Sequence, residues 1–466
     1  MLALIHTFNS LGKDYVFDAN ANSVLMLEEH QVSLVKEIEQ EKPSDEAFQL
    51  LEEFRLQGYF NPPEIKEIKH PQTDAMEYHL TRNIQKLTLQ VTQGCNLRCS
   101  YCAYSGDYNT RGHASKRMSF ETAKKAIDYV MEHSIDAKMV SFGFYGGEPL
   151  LELELIYKCI DYINELKGEK DITFTLTTNG TLLTCEVYEG LIAKGVSILI
   201  SLDGPKQLHD SYRVYPDGRG SFDDIVANIN KIREKYVDAN EKLRFITVVN
   251  PEMDDSCVEK LYTMDEVFPQ YSSSMSFVSE NYTDKKFAYS QELWSTHKFE
   301  QTKLFLYMLG KLDISKVSRL IIGSTGEFIE KYKYLRRIER LPAKCHPGGP
   351  CLAGVHRLFV SADGVFYPCE RVSETSEMMK IGNIYDGIDV DKANAINNIG
   401  KTTADACKKC WAISHCTMCA ANSDTLKEFS KEKRLKSCAG SKFTVVELIK
   451  DICFLKDYGY DFESNI

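Results

Sequence analysis

The chain has 466 residues, enough for two to four domains and a large apolar core, so a small cross-linked scaffold is excluded. Its 56 Lys and Arg against 67 Asp and Glu give a formal charge of −11, which argues against non-specific grip on nucleic acid or on an anionic membrane. No basic-then-apolar N-terminus and no 18-residue apolar run occur, so a cytoplasmic address is expected, where the 15 cysteines should hold metal or do chemistry rather than form disulfides.

The first sixty residues read as a small independent unit. Tyr15-Val16-Phe17-Asp18 and Ser23-Val24-Leu25-Met26-Leu27 are β-prone runs joined by the turn-prone Ala19-Asn20-Ala21-Asn22, which predicts a hairpin. Two helices should follow. One places Val32, Leu34, Val35 and Ile38 largely on one side; the other places Ala47, Leu50, Leu51 and Phe54 after an N-cap at Ser44 and stops at Gly58. This pattern predicts a winged-helix-like module over residues 1–70, ending in a linker from Asn61-Pro62-Pro63 to His70-Pro71.

From residue 86 strands and helices alternate. Strands are expected at Leu87–Thr92, Val140–Tyr145, Ile172–Thr177, Val196–Leu202, Arg244–Val249 and Met275–Val278, with helices at Phe120–His133, Leu153–Leu166, Cys185–Ala193 and Phe222–Tyr236. Six β/α units predict an α/β fold with a parallel sheet curled into a partial (β/α)6 barrel over 86–310, its chemistry beyond the carboxyl ends of the strands. A helical stretch (311–344) and a cysteine- and glycine-rich segment (345–440) come next, the latter expected to be organised by metal more than by a core, before a tail over 441–466.

The first cysteine cluster follows the first barrel strand. Cys95-Asn96-Leu97-Arg98-Cys99-Ser100-Tyr101-Cys102 puts three thiolates on one loop, and soft thiolates select iron–sulfur clusters or zinc. Three sulfurs suit a four-iron cluster with one iron left open. At the ends of later strands stand Tyr145-Gly146-Gly147-Glu148-Pro149, Thr178-Asn179-Gly180, Ser201-Leu202-Asp203-Gly204-Pro205 followed by Arg213, and Val248-Val249-Asn250.

The sequence here resembles the radical S-adenosylmethionine (SAM) superfamily, with its C-x3-C-x2-C signature and an aromatic, Tyr101, before the last cysteine. The resemblance implies a [4Fe-4S] cluster on Cys95, Cys99 and Cys102. It implies that Gly146, Gly147, Glu148 and Pro149 receive the SAM amino group, that Ser201 and Arg213 meet its ribose or carboxylate, that Tyr101 and Asn179 contact the cofactor, and that Val248-Val249-Asn250 approaches its adenine. It further implies one-electron cleavage of SAM to a radical that removes hydrogen from an unreactive carbon. No general acid or base is assigned, and His209 is expected to be structural.

A second cluster region reads Cys345-x5-Cys351, Gly364-x4-Cys369, Cys407-x2-Cys410-x5-Cys416-x2-Cys419 and then Cys438. It resembles the SPASM extension of peptide-modifying radical SAM enzymes, which implies two auxiliary [4Fe-4S] clusters. The order implies Cys345, Cys351, Cys369 and Cys419 around the first and Cys407, Cys410, Cys416 and Cys438 around the second; some relatives leave the first open to a substrate thiolate, which bears on Cys345. The remaining Cys159, Cys185, Cys257 and Cys453 are expected to be small core hydrophobes.

The hairpin-plus-helices module resembles the recognition element with which maturases of ribosomally made peptides hold a leader sequence. Taken together, the three parts are similar to sactipeptide/ranthipeptide-type maturases. The resemblance implies a peptide thioether synthase with a cysteine-containing precursor peptide as partner, a flavodoxin- or ferredoxin-like electron donor, and neither nucleic acid nor membrane. Alternatives are an anaerobic sulfatase-type formylglycine maturase, a carbon–carbon crosslinking maturase and, outside enzymes, an iron–sulfur electron-transfer protein.

Overall fold

A computed structural model describes residues 2–106, 108, 112–252, 272–288, 290–349 and 351–465. Cys257 lies outside the described residues. No helix among the described residues is long and apolar enough to cross a membrane.

The N-terminal unit is a three-stranded antiparallel sheet, β1 (Ile5–Ser10), β2 (Lys13–Asp18) and β3 (Ser23–Met26), in the order β1-β2-β3, followed by helices Glu29–Glu39 and Asp45–Leu56. The expected β2–β3 hairpin and both helices form, and Ser44 caps the second helix by accepting from the Ala47 N–H at 3.3 Å. The added strand β1 turns into β2 through Leu11 and Gly12, at φ 49° and 80°, a two-residue turn that matches strand twist. Alternation along β2 splits the sheet between two cores. Val16 packs with Val35, Ile38, Leu50 and Leu51 of the two helices. Tyr15 and Phe17 face the other way, into a core with Leu341, Ala412, Ile413, Val445 and Ile449 from the C-terminal third.

The unit is therefore not independent of the rest of the chain. Its expected linker is also strapped down, because β4 (Glu67–Ile68) pairs in parallel with β11 (Lys344–Cys345) and Ile68 is buried in the shared core.

The six barrel strands are β5 (Lys86–Thr92), β6 (Met139–Gly146), β7 (Asp171–Thr178), β8 (Val196–Ser201), β9 (Leu243–Val249) and β10 (Ser272–Phe277), all parallel and each beside its sequence neighbour. A strand order that runs one way without a reversal is that of a barrel rather than of a doubly wound sheet. The crossover helices follow their apolar period. In Phe120–Glu132, capped by Ser119, the residues Ala123, Ala126, Ile127 and Val130 form the buried face.

The segment after residue 345 departs from the expectation that metal organises it more than a core. β12 (Leu358–Val360) joins the barrel sheet parallel to β5, and β13 (Val365–Tyr367), β14 (Gly382–Asn383) and β15 (Gly387–Ile388) continue it antiparallel, making ten strands among the described residues. Leu358, Phe359, Val360, Phe366, Met379 and Ile381 belong to the same apolar core as the barrel. Apolar packing thus holds this segment to the barrel. Phe359→Ala should cost about 3–5 kcal/mol and lower the denaturant midpoint of the barrel as a whole; a normal midpoint with loss confined to the cysteine-rich segment would contradict a shared core.

Candidate functional site

The cysteine loop leaves β5 at Thr92 and is bonded to its neighbours along its backbone. The Gly147 N–H donates to Thr92 O and the Glu148 N–H to Gly94 O, both at 2.9 Å. On the far side the Arg98 N–H donates to Val214 O at 2.7 Å and the Ser100 N–H to Tyr212 O at 3.1 Å. Such close approach explains both glycines of the β6 tip. A Cβ on Gly146 would stand 2.1 Å from Thr92 O and one on Gly147 would stand 2.1 Å from Gly94 O.

Glu148, expected to receive an ammonium, turns inward. It is buried; Oε1 accepts from the Leu150 N–H (3.0 Å) and Thr178 Oγ1 (2.7 Å), and Oε2 accepts from the Asn179 N–H (2.7 Å). Burial raises its pKa, and the bonds from Asn179, Thr178 and Leu150 oppose that rise. Its carboxylate ties the tips of β6 and β7 together. Asn179 then reaches the cysteine loop itself, donating from Nδ2 to Asn96 Oδ1 at 2.8 Å and lying 3.9 Å from Cys95 Sγ. Pro149 is buried at the start of the short helical turn after Glu148.

Asp203 is the residue that sequence reasoning missed. Its Oδ2 accepts from Arg213 Nε at 2.7 Å and from the Tyr101 hydroxyl, and its Oδ1 accepts from the Val248 N–H at 3.0 Å. One buried carboxylate thus joins three of the expected cofactor contacts, two residues beyond Ser201 at the end of β8. The signal was present in Ser201-Leu202-Asp203-Gly204-Pro205, but a sequence does not reveal which carboxylate faces inward. The guanidinium fork of Arg213 is accordingly directed at Asp203, with its centre 5.4 Å from the Tyr101 ring. Burial works against the Arg213 cation, but the groups around it, Asp203 foremost, together keep its pKa well above the ordinary value. His209 is buried and bonded on both sides: its Nδ1 accepts from the Asp203 N–H at 3.3 Å, its Nε2 lies 3.0 Å from Ser221 Oγ, and burial pushes its pKa down to about 4.

The three loop cysteines lie within reach of one another's charge. Burial pushes the Cys99 thiol up to about 12, with Arg213 opposing and Cys102, Cys95 and Asp203 adding; Cys95 is pushed up to about 11, chiefly by burial. Beside the loop opens a small cleft lined by Tyr101, Tyr108, Tyr212, Asn250 and Phe287 among others, beyond the carboxyl ends of β9 and β10. It takes in two of the expected cofactor-side residues, Tyr101 and Asn250.

The C-terminal cysteines fall into neighbourhoods. The charge of Cys419 reaches Cys369 and that of Cys351 reaches Cys419. Cys407 feels Cys416 and Cys438, and Cys410 feels Cys416 and Cys407. Cys345, buried on β11, feels Cys407, which belongs to the other group in the expected assignment. Every described cysteine is free of a disulfide. Cys159 and Cys453 are buried and Cys185 is half-buried, as expected of core residues.

Residues 89–264 match the model of the radical SAM superfamily. The chain carries a radical SAM domain. An uncharacterised protein of Methanocaldococcus jannaschii is 37% identical over 138 residues, 30% of this chain and 45% of that protein. The cysteine-type anaerobic sulfatase-maturating enzyme of Clostridium novyi is 24% identical over 62% of this chain and 74% of its own length. A solved structure of anSMEcpe with bound AdoMet and Kp18Cys peptide matches with a TM-score of 0.57 at 20% identity, over 79% of this chain and 99% of that one, and shares its fold.

The family implies SAM and a [4Fe-4S] cluster. Among the described residues no three or more His, Cys, Asp or Glu side chains are drawn together closely enough to hold a metal ion, and the fit rests on the chemistry of the donors. Three free thiols stand on one backbone-anchored loop, and burial that keeps such thiols neutral on their own is reversed by a metal, since thiolate ligands form as the metal binds. The cleft beside them offers aromatic faces from Tyr101, Tyr108, Tyr212 and Phe287 and one amide, Asn250.

Asp203→Ala leaves the Arg213 cation buried without its partner, at a cost of about 3–5 kcal/mol, and should also free Tyr101. Chemical denaturation measures the first, and Asp203→Asn, which keeps an acceptor for Arg213 and Tyr101, should lose less.

Proposed function

We propose that this protein is a radical SAM maturase that joins a cysteine sulfur of a ribosomally made precursor peptide to a carbon of another residue. The observation that carries the reading is the joining of three parts in one chain. A small sheet with β3 at its edge is packed against a cysteine-rich segment, which in turn extends a barrel whose mouth holds the Cys95–Cys102 loop. In β1 the edge is partly taken, because Glu39 accepts from the Thr7 N–H at 3.2 Å and from Thr7 Oγ1 at 2.5 Å. This leaves β3, whose Met26 is exposed, as the edge onto which a leader peptide would add as a strand.

Cys95, Cys99 and Cys102 would hold the SAM-binding cluster, with the turn Gly146–Pro149 and Asn179 at the methionine end. Ser201 and Arg213, the latter held by Asp203, would lie toward the ribose and carboxylate, and Val248 toward the adenine. Cys351, Cys369 and Cys419 with Cys345, and Cys407, Cys410, Cys416 and Cys438, would hold two auxiliary clusters. When bound, cluster and SAM together supply the one-electron chemistry that takes hydrogen from an unreactive carbon. The protein's own residues position the cofactor, keep water from the reacting carbon and present one C–H bond beside the peptide thiol. The electron donor would be a flavodoxin- or ferredoxin-like protein.

Formylglycine formation on a sulfatase is the second reading, favoured by the likeness to the C. novyi sulfatase-maturating enzyme. Co-expression with a cysteine-rich precursor peptide separates the two. The thioether reading predicts loss of two hydrogens per bond, a blocked thiol and fragmentation suppressed between the linked residues. An aldehyde that reacts with a hydrazine would assign the second reading, and a carbon–carbon bond with a free thiol would replace the first.

A further inference from the structure

The loop between Cys410 and Cys416 carries two rings, Trp411 and His415, and the N-terminal sheet engages both. The His6 ring stacks on Trp411 with centroids 4.1 Å apart and planes 7° from parallel. Phe17 meets Trp411 edge-on at 6.4 Å and His415 edge-on at 5.6 Å. His415 Nε2 lies 2.8 Å from Asn22 Oδ1. The orientation of the Asn22 amide is fixed independently, because its Nδ2 donates to Tyr334 O at 2.5 Å and to Arg336 O at 3.0 Å, so its oxygen faces His415 as the acceptor.

The same sheet face also holds the other source of this cysteine group. Cys438 opens the helix Cys438–Asp457, whose Val445, Ile449 and Cys453 pack in one core with Leu4, Phe8, Tyr15 and Phe17. Tyr15 and Lys13 bind that helix again at its far end, through Asp457 Oδ2 at 2.5 and 2.9 Å. Ser441 of its first turn donates to Cys416 Sγ at 3.4 Å, and Cys407 and Cys410 line the rim of the shared core.

We infer that the N-terminal sheet is the platform that positions the second cysteine group, with His6 and Asn22 acting as positioning residues through Trp411 and His415. Loop and helix bring Cys407, Cys410, Cys416 and Cys438 from two separate stretches of chain, and the sheet face is the surface both rest on. Asn22 immediately precedes β3, so the strand proposed to take a leader peptide begins one residue from the contact to His415. The inference rests on the reading that these cysteines hold an iron–sulfur cluster.

The test uses the full-length, anaerobically reconstituted protein, with iron content and the electron paramagnetic resonance of the reduced clusters as readouts. Wild type should hold about twelve irons, four in each of three clusters. His6→Ala and Asn22→Ala should each alter the signal and midpoint potential of one auxiliary cluster. The double variant should lose about one third of the iron, that is, one cluster of three. His6→Phe keeps a ring to stack on Trp411 and should restore the wild-type signal, which a general folding defect would not allow. Wild-type protein with iron for a single cluster would overturn the auxiliary-cluster reading. Three wild-type clusters whose signals and potentials are untouched by His6→Ala and Asn22→Ala would overturn this inference alone.

Discussion

The loop from Thr92 to Cys102 can present three sulfurs at the barrel mouth only because its backbone is bonded on both sides. Gly147 and Glu148 hold its entry, and Tyr212 and Val214 hold its middle. The first contact requires that no Cβ stand at positions 146 and 147, which is a steric condition on the β6 tip before it is anything to do with a cofactor. The second depends on the segment after Ser201 folding back over the loop, and that segment is fixed by the buried Asp203–Arg213 pair with Tyr101 bonded to the same carboxylate. Buried ion pairs are costly to desolvate and contribute little net stability, so retaining one here is consistent with a premium on position.

A second constraint runs through the whole chain. The barrel sheet continues without a break into β12, and the N-terminal sheet shares a core with the helix Cys438–Asp457 and the loop around Trp411. The first strand of the protein and its last long helix are thus packed together, and the cysteine-rich segment lies between the barrel and the N-terminal sheet. Gln90 of β5 and Gln93 just beyond it also donate to Glu374, at 2.6 and 3.1 Å, so polar contacts bind the barrel mouth to the segment that follows Cys369. The N-terminal sheet thus shares one packed core with the segments that carry the second cysteine group.

Much of the barrel was legible because its strands are short, β-branched and bounded by turns, and because period-3.6 helices alternate with them; the helix ends at Leu153–Leu166 and Cys185–Ala193 coincide with those read from the sequence. β1 was not legible because its turn is Leu11-Gly12. A leucine at φ 49° carries none of the Asn-Gly or Asp-Gly signal by which such hairpins are recognised. β12 was missed because three residues carry no periodicity, and its burial comes from pairing with β5, distant in sequence. The site was legible as a set of motifs at strand ends, since loops there converge by topology. Which side chains turn inward was not: Glu148 and Asp203 both occupy motifs, yet one braces two strand tips and the other joins Tyr101, Arg213 and the Val248 amide. Cys345 likewise sits by spacing with Cys351 but in space within reach of Cys407, because β11 is held by its pairing with β4.

Under the proposed function, the loop cysteines, braced in this way, bind a cluster that cleaves SAM. The most direct measurement is formation of 5′-deoxyadenosine from SAM by the anaerobically reconstituted, chemically reduced protein, compared with a variant in which Cys95, Cys99 and Cys102 are all alanine. 5′-Deoxyadenosine is expected from the first and none above background from the second. Equal amounts from both, or none from a wild-type protein with its full complement of iron, would contradict it.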